Sequence, residues 1–147
     1  MRTIAFIFSV LLAFFALPLA AHAAADTSVH AILITASKEK APADKRLAPY
    51  EATLQRNLPE SSFTYAGEGS AAVSGKDNRS IPLGNGHRIE LQGVSKDADG
   101  ISIKVKWLNG KSVVMNNAFT FQPGVPIVLG QRPIGDGNVP IVILIAK

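Results

Sequence analysis

Two stretches of this chain are apolar on both of their alternating faces. Residues 29–36 read Val-His-Ala-Ile-Leu-Ile-Thr-Ala, interrupted only by His30 and Thr35, and residues 139–146 read Val-Pro-Ile-Val-Ile-Leu-Ile-Ala. A strand that is dry on both sides must be covered on both sides, so each of these belongs in the middle of a sheet with other elements packed above and below it.

Between them the hydrophobic period is mostly two. Phe63 and Tyr65 alternate with Ser62, Thr64 and Ala66 until Gly67-Glu68-Gly69 breaks the run, and residues 74–80 read as a polar loop. Ile81 and Leu83 flank Pro82, which marks a short edge strand. Gly84-Asn85-Gly86 then turns the chain into residues 88–94, where Ile89 and Leu91 oppose Arg88, Glu90 and Gln92. Asp97-Ala98-Asp99-Gly100 leads to residues 101–108, with Ile101, Ile103, Val105 and Trp107 facing in and Ser102, Lys104 and Lys106 facing out. Asn109-Gly110 offers the positive backbone angles of a two-residue hairpin, returning through residues 112–115. Phe119 and Phe121 add a short alternation, and residues 126–129 read as a buried strand.

One helix stands out, over residues 44–58. Leu47, Tyr50, Leu54 and Leu58 form its apolar stripe, Asp44 is the N-cap, and Pro59 stops it. Pro49 moves the regular part toward Ala48, with residues 44–47 as a looser lead-in. The pattern predicts a mainly β fold: a small β-sandwich or partly open barrel of about 7–9 short strands with this one helix packed on it.

The first residues have the three parts of an export signal in the required order: basic Met1-Arg2-Thr3, an apolar run over residues 4–17, then Pro18 and small residues. Ala21-His22-Ala23 fits a signal peptidase, so cleavage is expected after Ala23, with Ala25 as the second site. The apolar run falls short of the ~20 residues that span a membrane. Residues 24–147 are then a single exported domain, periplasmic or extracellular, and not an integral membrane protein. The chain has no cysteine, so burial alone must hold the domain together.

The formal net charge is +4, one unit lower once Arg2 is removed. Lysines and arginines are scattered among acids, which excludes the basic stripe of a nucleic-acid binder and leaves a weak attraction to anionic envelope surfaces.

Reactive groupings are sparse. His30 and His87 lack the close ligand spacing of a zinc site, and Asp97-Ala98-Asp99-Gly100 and Asp136-Gly137-Asn138 read as turns rather than calcium loops. Gly67-Glu68-Gly69-Ser70 is not a nucleophile elbow, and Gly84-Asn85-Gly86 is not a dinucleotide loop. Trp107 and Tyr65 share faces with core residues, which favours packing over sugar stacking. Asn78-Arg79-Ser80 matches a glycosylation acceptor that matters only in a eukaryote.

The sequence therefore reads as a non-enzymatic module without a cofactor, binding or assembling with a cell-envelope component through edge strands or loops. The alternative is a small hydrolase or carbohydrate-active enzyme built on His87, Asp97, Asp99 and Asp136. The final strand would serve strand addition to an envelope protein if exposed, and core if central. The intact mass of the exported protein should match a chain beginning at Ala24, or at Asp26 for the second cleavage site; a mass retaining Met1 contradicts the export reading.

Overall fold

The computed structural model describes residues 27–130 and 138–147; the expected export signal and its two expected cleavage sites lie outside them. Among the described residues eight strands form two four-stranded antiparallel sheets rather than a closed barrel. The first has the order β2 (Ser62–Val73), β1 (Thr27–Ser37), β8 (Val139–Ala146), β7 (Ile127–Gly130). The second runs β3 (Asn78–Gly84), β4 (His87–Asp97), β5 (Gly100–Asn109), β6 (Ser112–Phe121).

The two doubly dry strands lie side by side in the centre of the first sheet, with Leu33 opposite Val142 and Ile34 opposite Ile141. Their inner faces, Val29, Ala31, Leu33, Val142, Leu144 and Ala146, join Ile89, Leu91, Ile103, Val105, Trp107 and Phe121 of the second sheet in one buried cluster. Their outer faces, including Ile32, Ile34, Ile141, Ile143 and Ile145, form a second cluster with Leu47 and Leu54. The final strand is thus core and not a docking edge, as a fully apolar segment requires.

The helical segment departs from the expected run. A 3₁₀ turn over Lys45–Leu47 is followed by a separate helix α1 (Glu51–Asn57), with Pro49 in the turn between them. Proline has no N–H to give and restricts the residue before it, so one continuous helix through position 49 is disfavoured. The stripe survives the break: Leu47 and Leu54 are buried, and Tyr50 and Leu58 pack beside them.

Asp44 locks this segment onto the sheet. Its Oδ1 accepts from the Arg46 backbone N–H at 3.1 Å and from Arg46 Nε at 3.0 Å, and its Oδ2 accepts from Arg46 Nη2 at 2.9 Å. The same Oδ2 accepts the Tyr65 backbone N–H at 3.1 Å. That donor sits beside a register shift where Leu33 faces Gly67 but Ile34 faces Tyr65, leaving Ala66 as an extra residue. The Arg46 side-chain bonds, helped by the two backbone N–H groups, hold the Asp44 carboxyl down at about 2.

The second departure is at Gly67-Glu68-Gly69, which does not end a strand: β2 runs straight through to Val73. A Cβ at Gly67 would overlap the Leu83 carbonyl oxygen, and one at Gly69 would press on Ile81 Cγ2. These glycines let β2 and β3, edges of different sheets, approach closely. The polar loop before β3 is correspondingly shorter, since residues 78–80 already belong to the strand.

The hairpins differ from expectation in detail. Asn85 (φ 53°) and Gly86 (φ 80°) are the two turn residues between β3 and β4, as the Asn-Gly pair requires. In the β5–β6 hairpin Asn109 pairs with Ser112, so the turn residues are Gly110 (φ 60°) and Lys111, one position later than Asn109-Gly110. The segment expected as a buried strand near 126–129 is the short edge β7, where only Leu129 is buried.

Truncating Leu54, fully buried on α1, should cost about 2–5 kcal/mol in urea denaturation as Leu54→Ala. The exposed Arg56→Ala should stay within about 0.5 kcal/mol.

Candidate functional site

Four strands are sheet edges: β2, β7, β3 and β6. An edge presents a row of unpaired backbone donors and acceptors, and folded proteins normally guard it with charge, proline, shortness or cover. β2 carries Glu68 and lies against β3, and β3 carries Arg79 and Pro82. β7 is 4 residues long and follows Pro126.

Among the described residues β6 has none of these guards. Its ten residues, Ser-Val-Val-Met-Asn-Asn-Ala-Phe-Thr-Phe, include neither charge nor proline. Among the described residues its ladder is with β5 alone. A register shift near the hairpin leaves Val114 as an extra residue, and from Met115 to Phe121 the pairing with β5 is regular. Val113 is 53% exposed, Asn116, Asn117 and Ala118 are exposed, and Met115 and Phe119 are half-buried at the rim of the inner core. The edge is therefore long, uncharged and accessible, which suits it chemically to main-chain pairing with another strand.

A polar chain crosses the outer face of the first sheet. His30 on β1 stands in register with Ser70 on β2. His30 Nε2 lies 2.9 Å from Glu68 Oε2, and Nδ1 lies 2.7 Å from Ser70 Oγ. An ionised carboxylate only accepts, so Nε2–H donates to Glu68, and on the neutral ring Nδ1 accepts the Ser70 hydroxyl. Nearby, the Arg46 guanidinium stacks 4.2 Å above the Tyr65 ring. The Ser–His–Glu order is that of an activated nucleophile, but Ser70 is in mid-strand and not on the sharp turn that presents a nucleophilic Oγ.

Of the residues considered as a hydrolytic set, His87 does not meet Asp97 or Asp99. His87 opens β4 and Asp97 closes it, about 33 Å apart at the rise of an extended strand. Asp97 Oδ1 accepts the Asp99 backbone N–H at 2.9 Å, which spends it on its own hairpin turn. Asp136 lies outside the described residues. His87 packs instead on Trp107: its Nδ1 accepts the indole N–H at 3.1 Å, and the rings are 5.8 Å apart. Trp107 is completely buried, as its phase in the sequence indicated. Tyr65 likewise packs beside the outer cluster.

The interior between the sheets is filled by side chains such as Trp107 and Phe121. A groove of about 330 Å³ opens at one end of the sandwich, with Val73, Val94, Ile101 and Ile103 along it and Lys76 and Lys96 at its rim. Among the described residues no cluster of histidine and carboxylate side chains is arranged to hold a metal, and no helix is long and apolar enough to cross a membrane.

The polar chain and the β6 edge both escaped sequence reasoning. His30 and Ser70 are 40 residues apart, and only the β1–β2 register joins them. For β6 the signal was present, a ten-residue run without charge, but its place at an edge was not. Compared with known proteins, the chain matches no family model, no curated protein and no solved structure.

The His87 arrangement has a pH consequence. Only a neutral ring can accept the Trp107 N–H at Nδ1, and burial pushes the His87 pKa below its ordinary 6.5. The unfolded chain takes up a proton near pH 6.5 while the folded chain resists it. The stabilisation is thus complete above that pH and lost as pH falls through the lower folded value. The urea midpoint should drop between pH 7 and pH 5, and His87→Gln should flatten that slope.

Proposed function

We propose that this protein is an exported, non-enzymatic β-sandwich that assembles with a cell-envelope protein by accepting an extended strand along β6. The observation that carries the reading is the unguarded edge itself. Main-chain hydrogen bonds supply affinity in such docking, and the side chains beside the edge supply selection. The three-part pattern of residues 1–23 supports the reading, since an export signal there would carry the protein to where envelope partners are met. The scattered positive charge adds a weak, salt-sensitive attraction to anionic surfaces.

Charge at the edge tests this without disturbing the fold. On the outer face Asn116 stands opposite Lys106, and Thr120, opposite Ser102, is diagonal to Lys104, so a glutamate at either site gains an opposite-charge neighbour within the sheet. A photo-cross-linker at Ala118, used in the native host envelope, should give a discrete protein adduct. Asn116→Glu combined with Thr120→Glu should cut its yield about tenfold or more, the effect expected of edge charges. An adduct insensitive to these charges, or no adduct at all, retires strand docking at β6.

A further inference from the structure

Resting on that reading of β6, we infer that the strand it accepts is the β6 of a second copy of this chain, joined antiparallel about a two-fold axis through Asn117. Asn117 is the residue that needs explaining. It stands in register with Val105, which is fully buried in the inner core, and directly opposed residues of a sheet share a face. Asn117 therefore belongs to the inward face, with Met115 opposite Trp107 and Phe119 opposite Ile103 on either side of it. Every other position of that regular face is apolar, and Met115, Phe119 and Phe121 all pack on the inner core.

Symmetry gives the exposed amide a partner. Two antiparallel β6 strands related by an axis perpendicular to the sheet must place like faces together, which fixes the sum of opposed residue numbers as even. Centred on Asn117, each Met115 meets Phe119 of the other copy, and this contact occurs twice. Methionine sulfur beside an aromatic ring is a favourable pairing, and both side chains are half-exposed in the single chain. Asn117 meets its own copy on the axis, where the two amides can donate to and accept from each other. One polar residue in an apolar row fixes register, because a slip leaves it facing a hydrocarbon. On the other face Asn116 meets Ala118.

Charge does not oppose this occupant at β6. Without Arg2 the chain carries a formal +3, so copies repel over most of their surface, while β6 contributes no charge of its own. The nearest cations, Lys104 and Lys106, belong to the neighbouring strand β5. In the paired state the two β5 strands are three inter-strand spacings apart, about 14 Å. That exceeds the screening length of about 8 Å at physiological ionic strength. The product is one continuous eight-stranded sheet, and edge pairing of this limited size is expected to be concentration-dependent.

A cysteine-free chain allows a direct test. The purified exported protein should double in mass with rising concentration in sedimentation equilibrium. Under mild oxidation Asn117→Cys should give the highest yield of disulfide-linked dimer, since opposed Cβ atoms lie within reach of a bridge. Asn116→Cys and Ala118→Cys should each self-link poorly, yet an equimolar mixture of the two should link efficiently. Asn117→Lys should return the protein to monomer, because it opposes like charges on the axis. Circular dichroism on each variant separates lost pairing from lost folding.

A protein that stays monomeric up to roughly millimolar concentration overturns the inference. So do equal yields at positions 116, 117 and 118, or a maximum in another register. A monomer that nevertheless cross-links through Ala118 to a different envelope chain sinks self-pairing alone and leaves strand docking in place.

Discussion

The structure depends on covering two strands from both sides. β1 and β8 bury apolar side chains on each face, so one sheet above them is not enough. The second sheet closes over Val29, Leu33, Val142 and Leu144, while Leu47 and Leu54 cover Ile32, Ile34, Ile141 and Ile143. With no cysteine in the chain, this burial is the main source of cohesion, and at about 25 cal/mol per Å² each covered isoleucine or leucine matters. The outer cover is the weaker of the two, a short helix and a 3₁₀ turn, and Asp44 compensates by tying the turn to the Tyr65 backbone and to Arg46.

Much of this was legible in single residues. The alternation Ile101, Ile103, Val105, Trp107 placed the inner face of β5 correctly, and the unbroken run 139–146 placed β8 in the centre. The helix stripe was right in membership although the helix was shorter than expected, because packing retained Leu47 after Pro49 had interrupted the backbone. What a sequence does not carry is the register between distant strands. Gly67 and Gly69 read as a break because local propensity disfavours glycine in a strand; their reason is the close passage of β3, with its Leu83 carbonyl at Gly67 and its Ile81 side chain at Gly69. The His30–Ser70–Glu68 chain was hidden for the same cause. The separation of His87 from Asp97 was hidden too, since only the length of β4 reveals it.

The two sides of the sandwich are unlike. Along β2 and β3 the glycines let the sheets approach closely, and Glu68, Arg79 and Pro82 lie on those strands. Along β6 the sandwich ends in an uncharged strand whose inner residues, Met115 and Phe119, are covered only in part. An asymmetry of this kind concentrates the capacity for association on one flank.

β1 and β8 are antiparallel neighbours, and Ser28 and Lys147 exchange two backbone hydrogen bonds, at 3.1 and 2.8 Å. A load applied between these positions would act across the ladder instead of along it. The bonds would then open in succession like a zip, each bearing the whole force in its turn. Where the fold must resist tension, it would do so best if pulled from elsewhere on its surface.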